Sequence, residues 1–419
     1  MKEGILDHLT VWSGHCIAGD LRINGSGVMA FTYDHRWIED SARAAISHSM
    51  PKRAEPYDDA ACKAVFGGLL PEEDQRASVA RALGISRENV FHLLEHLGGD
   101  VAGALTFFPA GQEPPAGPSG DLSPTMGEDE LASLLEDLPR VPMLAGKGGA
   151  RLSLAGAQGK LPIILVDGQI ATPREGEAST HLIKPEPEKF EGLAANEAFC
   201  LTLARELGLD AAFAEWRQVK GRPFLLVERY DRIMIDGETK RLHQEDFAQA
   251  LGFSSHQKYA ADGGPTFKDS FDLVRVVTTR YAREVIRLLD AAIFNLLIGN
   301  ADAHAKNYSF LALRSGETVL APLYDLVSTV IFEGLNPSFA MKFGRASTLE
   351  DFETPALERF ASDAGMTHAF VRRRMADIAK RVAGKAEGLV VPGLNDTGRL
   401  NGLPGVVKDR AERLALKVG

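Results

Sequence analysis

The sequence contains little cysteine and no long apolar segment, and each absence excludes a class of protein. Its three cysteines, Cys16, Cys62 and Cys200, lie far apart and form no CxxC pair, which excludes a disulfide framework and indicates a reducing compartment. The densest apolar run, residues 288–298, is interrupted by an aspartate and an asparagine. The N-terminal MKEGILDHLTVW also lacks the uninterrupted apolar stretch of a signal peptide. We therefore expect a cytoplasmic protein with no membrane partner.

Positive charge is also in deficit. Lys and Arg total 47 against 57 Asp and Glu, which gives a formal charge of −10. A chain of this sign is not expected to wrap nucleic acid as its main function, although local basic patches remain open. The length of 419 residues, with 45% hydrophobic and 25% charged residues, is ordinary for a globular protein of two or three domains.

A segment rich in Pro and Gly divides the chain. PAGQEPPAGPSGDLSPTMGEDE, which begins at Pro109, is typical of a linker or long surface loop. It predicts a small α+β unit over residues 1–108 and a linker and connecting segment over residues 109–150. Strand-like runs with one helical pattern predict a third unit over residues 151–235. The pattern then turns mainly helical over residues 236–419.

The stretch GNADAHAKNYSFL, residues 299–311, concentrates chemistry after a predicted helix at about residues 283–298. It places Asp302, His304, Lys306 and Asn307 within six positions. Polar residues are common in loops, so the cluster alone is also compatible with an ordinary loop without catalytic function. However, a base aspartate followed five positions later by a metal-binding asparagine is the spacing of the protein-kinase catalytic loop. This stretch therefore predicts phosphoryl transfer from ATP, with one aspartate as base and one asparagine as a Mg²⁺ ligand.

The next residues predict a hairpin that returns the chain to the same place. YSFLAL and TVLAPLYD are strand-like and flank a Ser315-Gly316 turn. Asp325 is therefore expected near Asp302 and Asn307, where it would be the second Mg²⁺ ligand. The sequence departs from the protein-kinase pattern, because GNAD stands in place of HRD and Tyr-Asp-Leu in place of DFG.

Three further motifs predict a nucleotide site. THLIKP offers Lys184 on a strand for the phosphates, and the next helix offers Glu197 to orient it, although a solvent-facing lysine is the alternative. SLAGAQGK places small residues where backbone N–H groups could approach phosphates, without being a Walker A loop. An ordinary tight turn is the alternative there. FLLVERYDR ends in a Glu-Arg-Tyr sequence suited to a hinge against an adenine edge.

In this order the motifs resemble the HipA family of bacterial toxin serine/threonine kinases. The matching segments of the kinase region are SLAGAQGK, THLIKP, NEAFCLTLARELGL, LLVERYDR, LHQEDFAQALG, KYAADGGP, NADAHAKNYS and PLYDL. In the N-terminal unit they are ISHSMPKRAEPYD, FGGLLPE and LGGDVAGAL. One departure is Gly159, where the family pattern usually carries Glu. The resemblance implies an α+β, two-lobed protein-kinase-like fold with a small N-terminal α+β subdomain and a mainly helical C-terminal lobe.

The resemblance also assigns site residues. It implies Asp302 as catalytic base, Asn307 and Asp325 as Mg²⁺ ligands, and Ser153 as a site of autophosphorylation. His304 would tie the catalytic loop together and Lys306 would lie close to the transferred phosphate. The expected ATP-binding residues are Ala155, Gly156, Ala157, Gln158, Gly159, Lys160, Lys184, Glu197, Glu228, Arg229, Tyr230 and Tyr324.

For partners, the resemblance implies a protein substrate, notably an aminoacyl-tRNA synthetase such as the glutamyl enzyme, whose phosphorylation arrests translation and growth. It also implies a small helix-turn-helix antitoxin like HipB, through which the chain would reach operator DNA. Two other functions remain open: a catalytically inactive co-repressor acting with its antitoxin, and a small-molecule kinase. The presence of Lys184, Asp302, Asn307 and Asp325 disfavours the inactive module.

Overall fold

The structure is a computed structural model that describes residues 5–115, 123–138, 158–394 and 398–419. Three large hydrophobic cores divide these residues among an N-terminal unit, a small lobe and a larger, mainly helical lobe. Among the helices in these ranges, none is apolar over a length that could cross a bilayer.

The N-terminal unit contains an antiparallel sheet with the strand order β3-β2-β1-β4. Its strands are β1 (Ile5–Ser13), β2 (Cys16–Asn24), β3 (Met29–Tyr33) and β4 (Leu105–Pro109). Its helices are α1 (His35–Glu39), α2 (Asp59–Val65), α3 (Glu73–Leu83) and α4 (Val90–Leu97). The pattern EEDQRASVARALG corresponds to α3, and Gly84, at φ +70°, ends that helix. Buried aromatic rings pack edge to face between the layers, with 5.3 Å between the ring centroids of Phe31 and Phe66.

The small lobe is a five-stranded antiparallel sheet in the order β6-β5-β7-β9-β8, with one long helix packed on it. The strands are β5 (Leu161–Val166), β6 (Gln169–Ala171), β7 (His181–Pro185), β8 (Ala214–Val219) and β9 (Arg222–Glu228). The helix is α6 (Leu193–Glu206), which is buried along most of its length. The predicted strand–helix–strand order of this region is therefore present.

A helix that the sequence reading did not anticipate lies inside the predicted linker. This helix, α5 (Glu128–Asp137), follows Gly127 and buries Leu131 and Leu135 in the small-lobe core. The backbone N–H of Met126 donates to the carbonyl of Ile170 at 2.8 Å, which joins the segment to the edge strand β6. The physical reason is the pattern ELASLLEDL, whose leucines share one face, whereas the Pro and Gly content lies before it.

The larger lobe is helical around one hairpin. Its longer helices are α8 (Phe267–Val277), α9 (Tyr281–Ile298), α10 (Thr354–Asp363), α11 (His368–Lys385) and α12 (Leu403–Val418), and a short α7 (Phe247–Ala250) precedes them. A β10–β11 hairpin (Arg232–Ile235, Glu238–Arg241) joins the lobes. The predicted hairpin is formed by β13 (Ser309–Ala312) and β14 (Thr318–Leu320), with β12 (Gln244–Asp246) on its other edge. Gly316, at φ +83°, makes the turn.

Helix α12 is tied to the C-terminal end of α9. The buried guanidinium of Arg410 donates to the carbonyls of Leu296 and Leu297 at 2.8 and 3.2 Å. Carbonyls in the last turn of a helix lack partners within the helix, so this side chain satisfies them. The segment that follows α9 therefore starts from a fixed point.

The N-terminal unit is bonded to the larger lobe as well as packed on it. The carboxylate of Glu245 accepts hydrogen bonds from the hydroxyl of Ser47 at 2.7 Å and the backbone N–H of His48 at 3.0 Å. The hydroxyl of Ser49 donates to the carbonyl of Gln249 at 2.7 Å. These contacts join sequence positions about 200 residues apart.

Candidate active site

A cleft of about 920 Å³ lies between the two lobes and reaches the N-terminal unit. Most of the sequence-predicted site residues line it. They are Gln158, Gly159, Lys160, Lys184, Glu197, Glu228, Arg229, Tyr230, Asp302, His304, Lys306, Asn307, Tyr324 and Asp325. The others, Ser153, Ala155, Gly156 and Ala157, lie outside the described residues. Segments separated by more than 160 residues in the chain therefore meet in one cavity.

A buried charge cluster lies at the base of the cleft. Lys184, on β7, donates to the carboxylate of Glu197, on α6, at 2.7 Å and also to the carboxylate of Asp325. We call these three residues the cleft cluster. Burial raises the pKa of Asp325, but the ammonium groups of Lys184 and Lys160 outweigh burial and hold that pKa well below its ordinary value. Burial raises the pKa of Glu197 above its ordinary value, against the pull of Lys184.

A second lysine faces the same cleft without a partner of its own. Lys160 is only 8% exposed, and within the described ranges its ammonium makes no hydrogen bond or ion pair. Burial lowers its pKa, and Asp325 opposes that shift. A buried cation without a direct counter-ion is costly, and a bound anion would remove that cost. This observation fits a site for phosphate groups.

The backbone at Asp325 is strained and held from a neighbouring segment. Its φ of +50° is in the left-handed region, which non-glycine residues seldom occupy. The amide of Asn300 donates to the carbonyl of Asp325 at 3.3 Å, and its oxygen accepts the N–H of Asp302 at 3.1 Å. Asn300 is in turn bonded to Asn295 of α9 at 2.9 Å. The buried side-chain amide of Asn300 therefore connects the segment of Asp302, the predicted base, with that of Asp325, a predicted Mg²⁺ ligand.

Asp302 presents an open carboxylate on a fixed loop. Its side chain is 57% exposed, and the hydroxyl of Tyr259 donates to its Oδ1 at 2.8 Å. The amide of Asn307 donates to the carbonyl of Asp302 at 2.9 Å, which closes the loop between the two predicted residues. An exposed carboxylate with a defined position is what a general base requires.

The imidazole of His304 is enclosed beside this carboxylate. It packs edge to face on the ring of Tyr259, with centroids 5.1 Å apart, and its Nε2 lies 4.0 Å from Asp302 Oδ1. Its Nδ1 has no hydrogen-bond partner in the described part of the chain. Burial lowers the pKa of His304, although Asp302 opposes this shift. The ring is therefore neutral at neutral pH and fills space within the loop.

Lys306, which was expected close to the transferred phosphate, lies in the cleft lining with its ammonium held by protein groups. Its ammonium is 7% exposed and donates to Asp246 Oδ2 at 2.6 Å and to the carbonyl of Gly68 at 3.3 Å. Glu72 Oε1 lies 3.5 Å away. The reason is that acidic and carbonyl oxygens from other segments surround the ammonium, so it is held in the wall of the cleft.

The predicted hinge offers one free backbone donor. The N–H groups of Glu228 and Arg229 donate to the carbonyls of Phe213 and Thr180, both at 2.9 Å. The N–H of Tyr230 has no acceptor within the described ranges. The ring of Tyr230 stacks on Tyr324 with centroids 5.7 Å apart. The backbone of this turn could therefore pair with an adenine edge at one position.

Arg229 was predicted as a hinge residue through its backbone, and its side chain makes contacts of a different kind. Its guanidinium is enclosed with Asp100, Asp231, Arg232 and Arg241 in what we call the interface cluster. Asp100 comes from the N-terminal unit, so the cluster joins that unit to the small lobe. The sequence could not show this, because the partner carboxylate lies 129 positions away.

The cleft offers few oxygen ligands for Mg²⁺, so a metal ion held there would also need oxygen atoms from a nucleotide. Within the described residues, no group of three or more His, Cys, Asp and Glu side chains could enclose a metal. Asn307 and Asp325 each supply oxygen atoms to the cleft. Mg²⁺ in kinase sites is held by one or two carboxylates plus substrate phosphates, so this limited donor set fits it.

Sequence reasoning missed three residues of the site: Glu72, Tyr259 and Asn300. Tyr259 and Asn300 stand in the motifs KYAADGGP and GNAD, but nothing in their spacing shows a contact with Asp302 or Asp325. Glu72 stands in FGGLLPE, far from the kinase region. The one signal that could have found them is that each stands in a motif segment in which the residue itself had no assigned role.

Comparison with known proteins gives a consistent result along the chain. The family model of the HipA N-terminal domain matches residues 9–108, and that of the HipA-like C-terminal domain matches residues 152–388. The Y4mE protein of Sinorhizobium fredii, named as a kinase, is 47% identical over 417 residues, which is 98% of this chain and 99% of that protein. The serine/threonine-protein kinase toxin HipA of Shewanella oneidensis is 34% identical over 326 residues, 75% of this chain and 74% of that one.

A solved structure matches over the same extent. The complex of HipA, HipB and operator DNA from Shewanella oneidensis contains a chain with a TM-score of 0.84 and 28% identity, which covers 98% of both chains. This match confirms the predicted α+β, two-lobed fold class. The exact domain boundaries remain a prediction.

Proposed function

Because the chain belongs to the HipA family, we propose that it is a serine/threonine protein kinase of the toxin type. It transfers the γ-phosphoryl group of ATP to a hydroxyl of a protein. The observation that carries the proposal is the meeting of Lys184, Glu197 and Asp325 with Asp302 and Asn307 in one cleft.

In this proposal Asp302 is the general base. The oxygen of the acceptor Ser or Thr forms a bond to the γ-phosphorus, the bond to the β,γ-bridging oxygen breaks, and ADP leaves. The hydroxyl proton passes to the exposed carboxylate of Asp302. Tyr259, Asn300 and Asn307 fix that carboxylate and its loop, so little reorganisation is needed at the moment of transfer.

The nucleotide is held by groups from both lobes. Lys184 and Lys160 supply positive charge for the phosphates, and the free N–H of Tyr230 meets the adenine edge. Asn307 and Asp325 would hold Mg²⁺, which neutralises phosphate charge when it is bound. Residues Ala155 to Lys160 are proposed as the nucleotide loop.

The direct test is phosphoryl transfer by purified protein. The chain is incubated with radiolabelled ATP, Mg²⁺ and a lysate of the host, and labelled proteins are identified. We expect label on an aminoacyl-tRNA synthetase, with the glutamyl enzyme as first candidate, and none with Asp302→Ala. Asp236→Ala, which replaces an aspartate outside the cleft lining, is the matched control. Label that persists with Asp302→Ala would contradict the assignment.

The proposed regulatory partner is a HipB-like helix-turn-helix antitoxin. Support comes from the matched Shewanella oneidensis structure, in which HipA is present with HipB and operator DNA, and from the net charge of −10, which disfavours DNA binding by this chain alone. Expression without the antitoxin should slow growth by inhibiting tRNA charging, whereas the Asp302→Ala variant should be harmless. Equal toxicity of both would favour the co-repressor function.

Autophosphorylation of Ser153 is proposed from the family resemblance. A phosphate there adds close to two negative charges beside the proposed nucleotide loop, so like-charge repulsion should block ATP binding. Purified protein is incubated with MgATP, the phosphate is mapped by mass spectrometry, and ATP affinity is compared before and after. Unchanged affinity of the phosphorylated form would exclude this switch.

A further inference from the structure

The N-terminal unit contributes a buried carboxylate to the wall of the cleft. Glu72 stands immediately before α3, lines the cleft and is only 5% exposed. Burial raises the pKa of Glu72, but Lys306 and Lys258 outweigh burial and lower it to about 2. The carboxylate is therefore charged at every pH at which the protein is expected to work.

Two lysines of the larger lobe converge on this carboxylate. Lys258 Nζ lies 2.9 Å from Glu72 Oε2, and Lys306 Nζ lies 3.5 Å from Glu72 Oε1. Both lysines are almost fully buried, at 6% and 7% exposure. A single side chain thus bridges two cations that come from different segments of the lobe.

Each lysine leads directly to the catalytic loop. Lys306 is part of that loop, four positions after Asp302. Lys258 precedes Tyr259, whose hydroxyl donates to Asp302 Oδ1 at 2.8 Å, and its ammonium lies 5.3 Å from the centre of the Tyr259 ring. The carboxylate of Glu72 is therefore linked to the base along two routes.

Without Glu72 the remaining charges are poorly matched. Lys306 would keep Asp246, but among the described residues Lys258 would keep only Glu73, whose side chain is 61% exposed. A buried ammonium that loses its buried partner moves toward solvent or loses its proton. The backbone of Glu73, at φ +49°, is also strained, which indicates that the surrounding contacts hold this segment in place.

We propose that Glu72 is a positioning residue of the phosphoryl-transfer site: through it the N-terminal unit holds Lys306 and Lys258, and with them the loop that carries Asp302. The inference rests on the proposed kinase function for its effect on rate. Its structural part, the fixing of two buried lysines, is measured separately.

The test compares Glu72→Gln with Glu245→Gln in the full chain. Both carboxylates accept hydrogen bonds across the contact between the N-terminal unit and the larger lobe, but Glu245 contacts Ser47 and His48 and neither lysine. We expect Glu72→Gln to lower kcat by about 10–100-fold with little change in KM for ATP, because the base is misplaced while the phosphate cradle is intact. Glu245→Gln should retain kcat.

A second readout does not depend on activity. The protein is treated with an acylating reagent, and modification of each lysine is followed by mass spectrometry. Lys258 and Lys306 should react slowly in the wild type and in Glu245→Gln, and several-fold faster in Glu72→Gln. Glu72→Asp, which keeps the charge, should restore part of kcat and of the protection, and it carries the test if the Gln variant does not fold.

The outcomes separate the two proposals. If Glu72→Gln leaves the lysines protected, or if both Gln variants change kcat and lysine reactivity equally, the positioning role is overturned. If the lysines become reactive in Glu72→Gln alone while the wild type transfers no phosphate to any protein, the kinase proposal fails and the structural role of Glu72 stands.

Discussion

The cleft cluster and the interface cluster are both charged and largely enclosed. They differ in how many of their carboxylate oxygens already accept hydrogen bonds. In the interface cluster, both oxygens of Asp100 are occupied, because Arg232 and Arg241 donate to Oδ1 while Ser179 and Arg229 donate to Oδ2. Its side chains are almost entirely enclosed, except that of Arg241, which is 18% exposed. No oxygen of Asp100 is left open, whereas Arg232 Nε and one terminal nitrogen of Arg241 are buried without a hydrogen-bond partner in the described part of the chain.

In the cleft cluster, the carboxylate of Asp325 has fewer hydrogen-bond partners than that of Asp100. The side chain of Asp325 is 35% exposed, and within the described ranges only its Oδ1 is hydrogen-bonded. Its backbone is strained, and the ammonium of Lys160, which acts on Asp325 electrostatically, has no hydrogen-bond or ion-pair partner among the residues that the structure describes. Burial of charge alone therefore does not identify an active site. A partly exposed carboxylate with an oxygen unpaired in the described ranges, together with backbone strain, distinguishes the cleft cluster from the cluster that joins two units.

The largest effect is expected outside both clusters, at the base. Asp302→Ala should reduce phosphoryl transfer by about 10²–10⁴-fold, since it removes the proton acceptor and leaves the phosphate cradle intact. Stability should hardly change, because the side chain is 57% exposed. Single-turnover kinetics measures the rate of phosphoryl transfer, and calorimetry with ATP measures whether nucleotide binding is retained. Transfer at a near-normal rate would contradict the assignment of Asp302 as the general base.

The interface cluster should respond in stability rather than chemistry. Asp100→Asn leaves the buried guanidinium groups of Arg229 and Arg232, and the partly buried one of Arg241, short of a counter-charge. It should lower the free energy of unfolding by about 3–5 kcal/mol. The fraction that remains folded should keep its kcat. Thermal unfolding and active-site-normalised kinetics check this, with Arg241→Gln as a milder variant. A selective loss of kcat in folded protein would erase the distinction between the clusters.

The cleft cluster should respond in the opposite way. Asp325→Asn should weaken Mg²⁺-dependent ATP binding by roughly 10–100-fold, because the remaining amide cannot neutralise the metal as a carboxylate does. The unfolding temperature should change little, since Lys184 keeps its buried bond to Glu197. Calorimetry with and without Mg²⁺ is the measurement. Unchanged MgATP affinity would count against the metal role.

The smallest effect concerns pH and the contact between the N-terminal unit and the larger lobe. Burial raises the pKa of Glu245 from 4.5 to about 7. The folded state therefore keeps a proton that the unfolded chain loses, and stability should fall by roughly 1–3 kcal/mol as pH rises from about 4.5 to 7. Denaturant unfolding at several pH values measures the slope, and Glu245→Gln should flatten it. An equal slope in that variant would assign the effect elsewhere.

The parts of this structure that the sequence predicts are those controlled by neighbours in the chain. The apolar stripe predicts α9, and the two strand-like runs around the Ser315-Gly316 turn predict the hairpin that brings Asp325 toward Asp302. The catalytic spacing depends only on local geometry. The kinase-like fold was implied by the family resemblance that the motifs, taken in order, carry.

The parts that it did not predict depend on contacts between distant segments. Glu72 meets Lys258 across 186 positions, and Asp100 meets Arg229 across 129. A solvent-facing charge and a buried paired charge look the same in a sequence, because burial is a property of the assembled fold. The sequence therefore did not show that the side chain of Arg229 is paired with Asp100 or that of Lys306 with Asp246.

The bonds from Arg410 to Leu296 and Leu297 have a consequence for the order in which a growing chain becomes active. Domains fold largely from the N-terminus as the ribosome synthesises them. The catalytic loop has been synthesised by residue 311, yet the helix that anchors its starting point follows about 100 residues later. A nascent chain stalled between these points would carry Asp302 on a loop whose starting point is not anchored, so we expect phosphoryl transfer to begin only after α12 has left the ribosome.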